Sequence, residues 1–241
     1  MGCNAASLPP MPDLLAEVRR RLHAASDPDR APGMAAYMKS SMPYLGVTSV
    51  PLRAICRQVY DADRLPDRPS WEAAVRTLWD HAAYREERYA AMALASHPYY
   101  RGYQDPDTLG LYRHLVVTGA WWDYVDSIAS HDVGTILRAF PDEVTTVLRG
   151  WAVDDDLWLR RTAIVCQLHS KGRTDVSLLT YALEQNLEDS PHGKEFFIRK
   201  AVGWALRQHA RLDPDWVRAF VRTHDERLSG LSRREALKHL G

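Results

Sequence analysis

Apolar residues recur along this chain at three- and four-residue intervals, the period of a helix with one buried face. The pattern predicts helices over 11–25, 51–62, 70–81, 84–96, 106–118 and 120–129. It continues over 142–152, 156–169, 175–187, 194–210, 214–224 and 232–240. Several starts carry a capping acid with proline just inside, as at Asp105-Pro106 and Asp213-Pro214. Alternating Val/Ile/Thr runs bounded by Asn-Gly turns do not occur, so strands are not expected. Short helices joined by short loops point to a bundle or an α-solenoid. Successive pairs are spaced near the 40-residue period of HEAT-like repeats. Trp79, Trp121/Trp122, Trp158 and Trp204 recur at that spacing. The expected fold is therefore all-α, with HEAT-like repeats stacked in a curved solenoid whose concave face is the binding surface. One domain over 11–241 is expected, after a disordered leader over 1–10 that ends at Pro9-Pro10.

Composition narrows the functional classes. Lys+Arg and Asp+Glu both number 31, so net charge exerts no global pull toward nucleic acid or membrane. From Lys194 to Gly241, however, eleven Lys/Arg face six Asp/Glu, and this basic C-terminal fifth suggests an anionic partner. Cys3, Cys56 and Cys166 are far apart and the histidines form no His-x-x-x-His pair, so no metal site is expected. Unpaired cysteines favour a reducing, cytoplasmic setting. No apolar run is long enough for a membrane span. The start, Met1-Gly2-Cys3, approaches a myristoylation signal but places Ser7 one position late. Phosphate loops, dinucleotide fingerprints and a Gly-x-Ser-x-Gly elbow are missing, which removes weight from nucleotide-hydrolysing and serine-hydrolase readings.

Five segments carry candidate chemistry. In Trp121-Trp122-Asp123-Tyr124-Val125-Asp126, residues 122 and 126 share a helical face, setting an aromatic ring beside a carboxylate. Such a pairing suits a cation; taken alone, a core tryptophan and a solvated acid are the commoner arrangement. Arg161 falls within an apolar stripe of Leu157, Ile164 and Leu168. A buried arginine needs an anion, either in an inter-helix salt bridge or as a phosphate or the Asp126 carboxylate. On the 194–210 helix, Lys200, Trp204, Arg207 and Arg211 line one face, and Phe197, Ile198, Ala201, Val202 and Ala205 line the inward one. Basic groups around an exposed ring suit a sugar-phosphate backbone, although a snorkelling basic face gives the same pattern. Ser232-Arg233-Arg234-Glu235 reads as a capping box whose helix start and two arginines offer an anion site. Tyr37 and Lys39, before the Pro43–Val47 turn, add a weaker groove-lining candidate.

Taken together, these blocks resemble the AlkD family of DNA alkylation-repair glycosylases, which is built from HEAT-like helical repeats. The landmarks run from Ala36-Tyr37-Met38-Lys39 with Tyr44-Leu45-Gly46, through Trp121–Asp126, to Leu157-Trp158-Leu159-Arg160-Arg161-Thr162-Ala163-Ile164. Phe196-Phe197-Ile198-Arg199-Lys200-Ala201-Val202-Gly203-Trp204-Ala205-Leu206-Arg207 and Leu231-Ser232-Arg233-Arg234-Glu235-Ala236 complete an ordered set of five blocks over nearly the whole chain. The resemblance implies catalytic positions at Trp122, Asp126 and Trp204, with Arg161 supporting them. It implies a site-lining Tyr37 and a DNA-contacting Arg207. It also implies removal of N3- and N7-alkylated purines from duplex DNA without flipping the lesion out of the helix. The Pro191-His192-Gly193 segment looks like an insertion that reshapes one rim of the cleft.

The expected protein is thus a monofunctional alkylpurine glycosylase that needs no cofactor or metal. Asp126 stabilises the sugar cation and positions water, and Lys39, Lys200, Arg207, Arg211, Arg233 and Arg234 hold DNA. Its partner is double-stranded DNA carrying an alkylated purine, bulky adducts included. A cytoplasmic, bacterial monomer is expected; abundant Arg, Ala and Asp suit a high-GC genome. A non-catalytic helical-repeat scaffold for nucleic acid or protein is the rival reading.

Overall fold

The computed structural model describes residues 13–240, so the expected leader over 1–10 lies outside the described residues. Among the described residues the chain is all-α, a helical-repeat fold of fourteen α-helices with no strand. The chain divides into two compact units, residues 1–103 and 104–241.

The first unit contains α1 (Asp13–Ala24), α2 (Ala31–Met38), α3 (Ser49–Ala62), α4 (Arg68–Asp80) and α5 (Arg85–Ala95). A 3₁₀ turn, Pro98–Tyr103, closes it. Helix α5 packs on α1, α3 and α4. Helices α1, α3, α4 and α5 each turn one apolar stripe inward, and Tyr60, Trp71, Trp79 and Tyr100 fill the centre with no exposed surface. Asp67 caps α4 by accepting from the Ser70 amide, with Pro69 in the first turn. The predictions over 51–62, 70–81 and 84–96 shift by only a residue or two, to α3, α4 and α5. Helix α2 was not predicted from the sequence; its Pro32 is tolerated because it falls in the first turn.

The segment between α2 and α3 differs from its expected groove-lining role. Tyr44, Leu45 and Val47 are buried. Glu86, fully buried on α5, accepts from the amides of Leu45, Gly46 and Val47 at 3.0, 2.9 and 3.1 Å. Gly46 has a φ of +87°, and a Cβ there would lie 2.1 Å from the Asp27 carbonyl oxygen. Only glycine meets both demands. The turn is thus a structural clasp around a buried carboxylate. Tyr37, by contrast, is 78% exposed, and Lys39 ends α2 in the left-handed region at φ 49°.

The second unit contains α6 (Leu109–Gly119), α7 (Trp122–Ser127), α8 (Gly134–Ala139), α9 (Pro141–Trp151) and α10 (Leu157–Val165). It ends with α11 (Val176–Glu184), α12 (Phe196–His209), α13 (Pro214–Thr223) and α14 (Gly230–Leu237). A π-helical turn over Ile128–Val133 joins α7 to α8 without a loop, which is why the 120–129 prediction stops short of α8. Helix α10 is the hub, packed against α6, α7, α9, α11 and α12. Every residue from Leu159 to Leu168 is buried, so α10 has no solvent face for most of its length. The 156–169 prediction therefore overran the helix, whose last apolar residues lie in turns beyond Val165.

Glu86→Ala is expected to orphan three buried amides and to lower unfolding free energy by roughly 3–5 kcal/mol. Urea denaturation measures this directly, and a loss below about 1 kcal/mol would contradict the clasp.

Candidate functional site

The second unit brings most of the expected site residues together. Asp126 stands on α7, four residues after Trp122, so both share one helical face. The π-helical turn begins two residues later, a distortion frequently found at functional positions. Asp156 caps α10 by accepting from the amides of Trp158 and Leu159 at 2.9 and 3.0 Å. That cap sets the start of α10 and therefore the height of Arg161 one turn later.

Arg161 is only 4% exposed. Its Nε donates to Asp126 Oδ1 at 2.7 Å and its Nη2 to Oδ2 at 2.9 Å, a bidentate pair. Its Nη1 donates to the Phe197 carbonyl at the start of α12. The buried arginine of the apolar stripe thus has the Asp126 carboxylate as its anion. Burial raises the Asp126 carboxyl above its ordinary value, and the hydrogen bonds and charge of Arg161 oppose that rise. Each carboxylate oxygen keeps a further lone pair beyond its bond to Arg161.

Trp122, Arg161, Phe196, Phe197, Lys200, Trp204, Arg207 and Glu235 line a cleft of about 290 Å³. Trp122 and Trp204 are half-buried, so neither ring is consumed by the core. Phe197 stands at 5.0 Å from Trp158 and 5.5 Å from Trp121 by ring centroids, and 5.9 Å from the Arg161 guanidinium. It does not belong to the inward face with Ile198, Ala201, Val202 and Ala205, which are all buried. Phe197, Lys200, Trp204 and Arg207 instead follow one line along α12, at intervals of three, four and three residues. That spacing was present in the sequence; apolarity alone assigned Phe197 to the core.

Glu235 is the second residue that sequence reasoning misassigned. The expected capping box is not formed. Ser229 caps α14 by accepting from the Ser232 amide, so the helix begins two residues early. Ser232 Oγ instead donates to the Arg199 carbonyl. Glu235 is thereby free to bridge α12: Lys200 Nζ donates to Oε1 at 3.3 Å and Arg207 Nη1 to Oε2. Burial raises the Glu235 carboxyl, but the Lys200 hydrogen bond and the charges of Arg207, Lys200 and Lys238 outweigh it and hold it below its ordinary value. The crossing of α12 and α14 depends on Gly203. A Cβ at that position would lie 2.7 Å from Glu235 Cβ and 3.1 Å from the Ser232 backbone.

The remaining candidates are dispersed. Arg211 follows the end of α12 and lines a different cavity, with Lys171, Gln208 and His209. Arg233 pairs with Asp225 at 2.8 Å, and Arg234 is exposed. Tyr37 and Lys39 belong to the first unit. Gly193 packs against Leu187 and His192 contacts the Asp155 carbonyl, which ties the 191–193 segment down. Arg160, next to Arg161, was not singled out; it is buried and donates to the carbonyls of Val153, Asp154 and Gln185. The thiols of Cys56 and Cys166 are pushed up to about 12 by burial, which removes them as nucleophiles at neutral pH. No group of three or more His, Cys, Asp or Glu among the described residues is arranged to hold a metal.

Fold and cleft together define a helical-repeat protein with an aromatic-walled, cation-bearing groove, one of whose lining cations, Arg161, is paired with the Asp126 carboxylate. The family model for DNA alkylation repair enzymes matches residues 18–240. The chain belongs to that AlkD-like family of DNA alkylation repair enzymes. A solved structure, a predicted DNA alkylation repair enzyme from Enterococcus faecalis, is similar to it with a TM-score of 0.80 and 27% identity. The match covers 90% of this chain and 97% of that one. No curated protein matched the chain.

Gly203→Ala is expected to push α14 off α12, to loosen the Glu235 bridge and to cost roughly 1–3 kcal/mol. Thermal unfolding reads the loss; an unchanged Tm would mean that the crossing tolerates a methyl group.

Proposed function

We propose that this protein is a monofunctional DNA glycosylase that hydrolyses the N-glycosidic bond of purines alkylated at N3 or N7 in duplex DNA. The observation that carries the proposal is the Asp126–Arg161 pair, whose arginine lines the cleft walled by Trp122 and Trp204. Family membership supplies DNA alkylation repair as the setting.

A purine alkylated at N3 or N7 is already cationic, so it leaves without prior protonation. A site with one central carboxylate then suffices, where neutral leaving groups call for an additional acid. As the C1′–N bond breaks, its electron pair moves to the base, which departs neutral, and positive charge passes to the deoxyribose. Asp126 faces that charge. Water adds to C1′, the new C1′–OH bond forms, and one proton is released. Arg161 holds the carboxylate in one orientation, so little reorganisation is needed when the sugar charge develops.

A carboxylate about 4 Å from the sugar cation, at an effective dielectric near 20, contributes about 4 kcal/mol, or about three decades of rate. The faces of Trp122 and Trp204 add cation–π attraction worth up to about one decade. These magnitudes suit a labile lesion and fall short for an undamaged purine. Selectivity then comes from the charge of the lesion rather than from a closed base pocket. Such a cleft accepts a lesion that stays within the helix, and bulky N3-adenine adducts as well as N7-methylguanine. Lys200 and Arg207 line the cleft together with the rings and are assigned to the backbone phosphates.

Asp126→Asn is expected to slow single-turnover release of 7-methylguanine from duplex DNA by about three decades at equal DNA binding. Unchanged excision would falsify the role of Asp126. The rate should also fall on acidification. The carboxylate is the working form and its pKa is raised above 3.8, so activity is full above the raised value and is lost as pH falls through it. A rate–pH profile, corrected for spontaneous depurination, that shows its acid limb at or below 3.8 would place Asp126 outside the chemistry. Arg207→Ala should weaken duplex binding and flatten its salt dependence by about one unit of slope.

A further inference from the structure

The cleft is less basic than a phosphate-binding surface normally is. Arg161, Lys200 and Arg207 face two carboxylates, Asp126 and Glu235, so the five charged side chains leave one net positive charge. Asp126 is committed to Arg161. Glu235 takes both of the cations that α12 contributes to the cleft, one on each carboxylate oxygen. A phosphate would use these same donors, with the same two-oxygen geometry.

This arrangement is anchored in backbone, not left to flexible side-chain ends. The Cβ-free face of Gly203 lets α14 approach so closely that Glu235 Cβ would lie 2.7 Å from a Cβ on α12. Ser232 ties the same turn of α14 to the Arg199 carbonyl at 2.8 Å. Glu235 therefore stands over the middle of α12, between Lys200 one turn before Gly203 and Arg207 one turn after it. All three charged side chains keep some contact with solvent, with 40%, 25% and 19% exposure for Lys200, Arg207 and Glu235. An incoming anion reaches them without unfolding either helix.

We propose that Glu235 is a built-in counter-anion that occupies the phosphate seat of the cleft and keeps the grip on undamaged DNA weak. The inference rests on the glycosylase reading in that it takes duplex DNA as the natural anion. A backbone phosphate gains the full charge of Lys200 and Arg207 only by drawing them away from Glu235. Contacts available only when a cationic purine sits against Asp126 and the two rings then decide residence, and undamaged sites are released. Glu235 acts through the two cations, so it is a positioning residue for specificity and not a catalytic one.

The test compares wild type with Glu235→Gln, which keeps shape and removes charge. Inorganic phosphate, titrated while the Trp204 indole N–H is followed by NMR, should bind the variant about fivefold more tightly, the effect of one unit charge at about 4 Å in water. Undamaged duplex should also bind about fivefold more tightly, with a salt slope steeper by about one. Adding Arg207→Ala to Glu235→Gln should abolish both gains. Glu235→Asp, which draws the charge back by one methylene, should give a smaller gain and guards against misfolding of the first variant. A purely structural ion pair predicts lowered Tm with phosphate and duplex affinities equal to or below wild type in both variants, and that result overturns the proposal. If phosphate binding rises as expected while neither form binds duplex or releases 7-methylguanine, the glycosylase reading fails and the Glu235 assignment stands.

Discussion

The second unit is organised around one buried interaction, the bidentate contact of Arg161 with Asp126. Removing a guanidinium and a carboxylate from water is costly, and the cost is offset only by close pairing and further hydrogen bonds. Both conditions are met: two short contacts join the charges, and the Phe197 carbonyl takes a third donor. The pair therefore fixes three helices at once. Asp126 belongs to α7, Arg161 to α10 and Phe197 to the first turn of α12. Because the capping carboxylate of Asp156 sets where α10 starts, even the placement of Arg161 follows from a short-range signal.

The walls of the cleft follow from that register. Once Phe197 is tied to Arg161, the helical period carries Lys200, Trp204 and Arg207 along the same line of α12. The opposite side of α12 is closed by Ile198, Ala201, Val202 and Ala205, all buried. Gly203 completes the arrangement by admitting α14, and with it Glu235. One carboxylate, Asp126, thus holds the Arg161 that lines the cleft, and another, Glu235, lines the cleft itself. The cations of the groove are thus largely paired with carboxylates, which leaves one net positive charge among the five side chains.

Two further buried arrangements show the same economy on a smaller scale. Glu86 satisfies three consecutive amides of the clasp in the first unit. Arg160 gathers the carbonyls of Val153 and Asp154 just beyond α9, where the helix dipole places negative charge. In both, a fully charged side chain serves as the partner for backbone groups that a short loop would leave unpaired. Glu86 and Arg160 are spent on backbone groups, whereas Asp126 keeps part of its side chain exposed.

The periodicity of apolar residues determined the all-α class and most of the helices, because an amphipathic stripe is a local property of consecutive residues. It also placed Trp122 with Asp126 and Lys200 with Trp204 and Arg207, since each set lies on a single helix. The burial of Arg161 was legible as an arginine within an apolar stripe, and its need for an anion followed from electrostatics. The partner's identity did not follow, because α7 and α10 meet only in the folded chain. Helix α2 and the π-helical continuation into α8 escaped notice, one because only Met38 of α2 is buried and no apolar stripe marks it, the other because five-residue hydrogen bonding leaves no signature in the apolar pattern. Glu235 read as half of a capping box until the fold moved the cap to Ser229 and turned the carboxylate toward α12. Local chemistry is written along the chain. Which charge meets which is decided by the crossing of helices, and there the absence of one side chain, at Gly203, sets the distance.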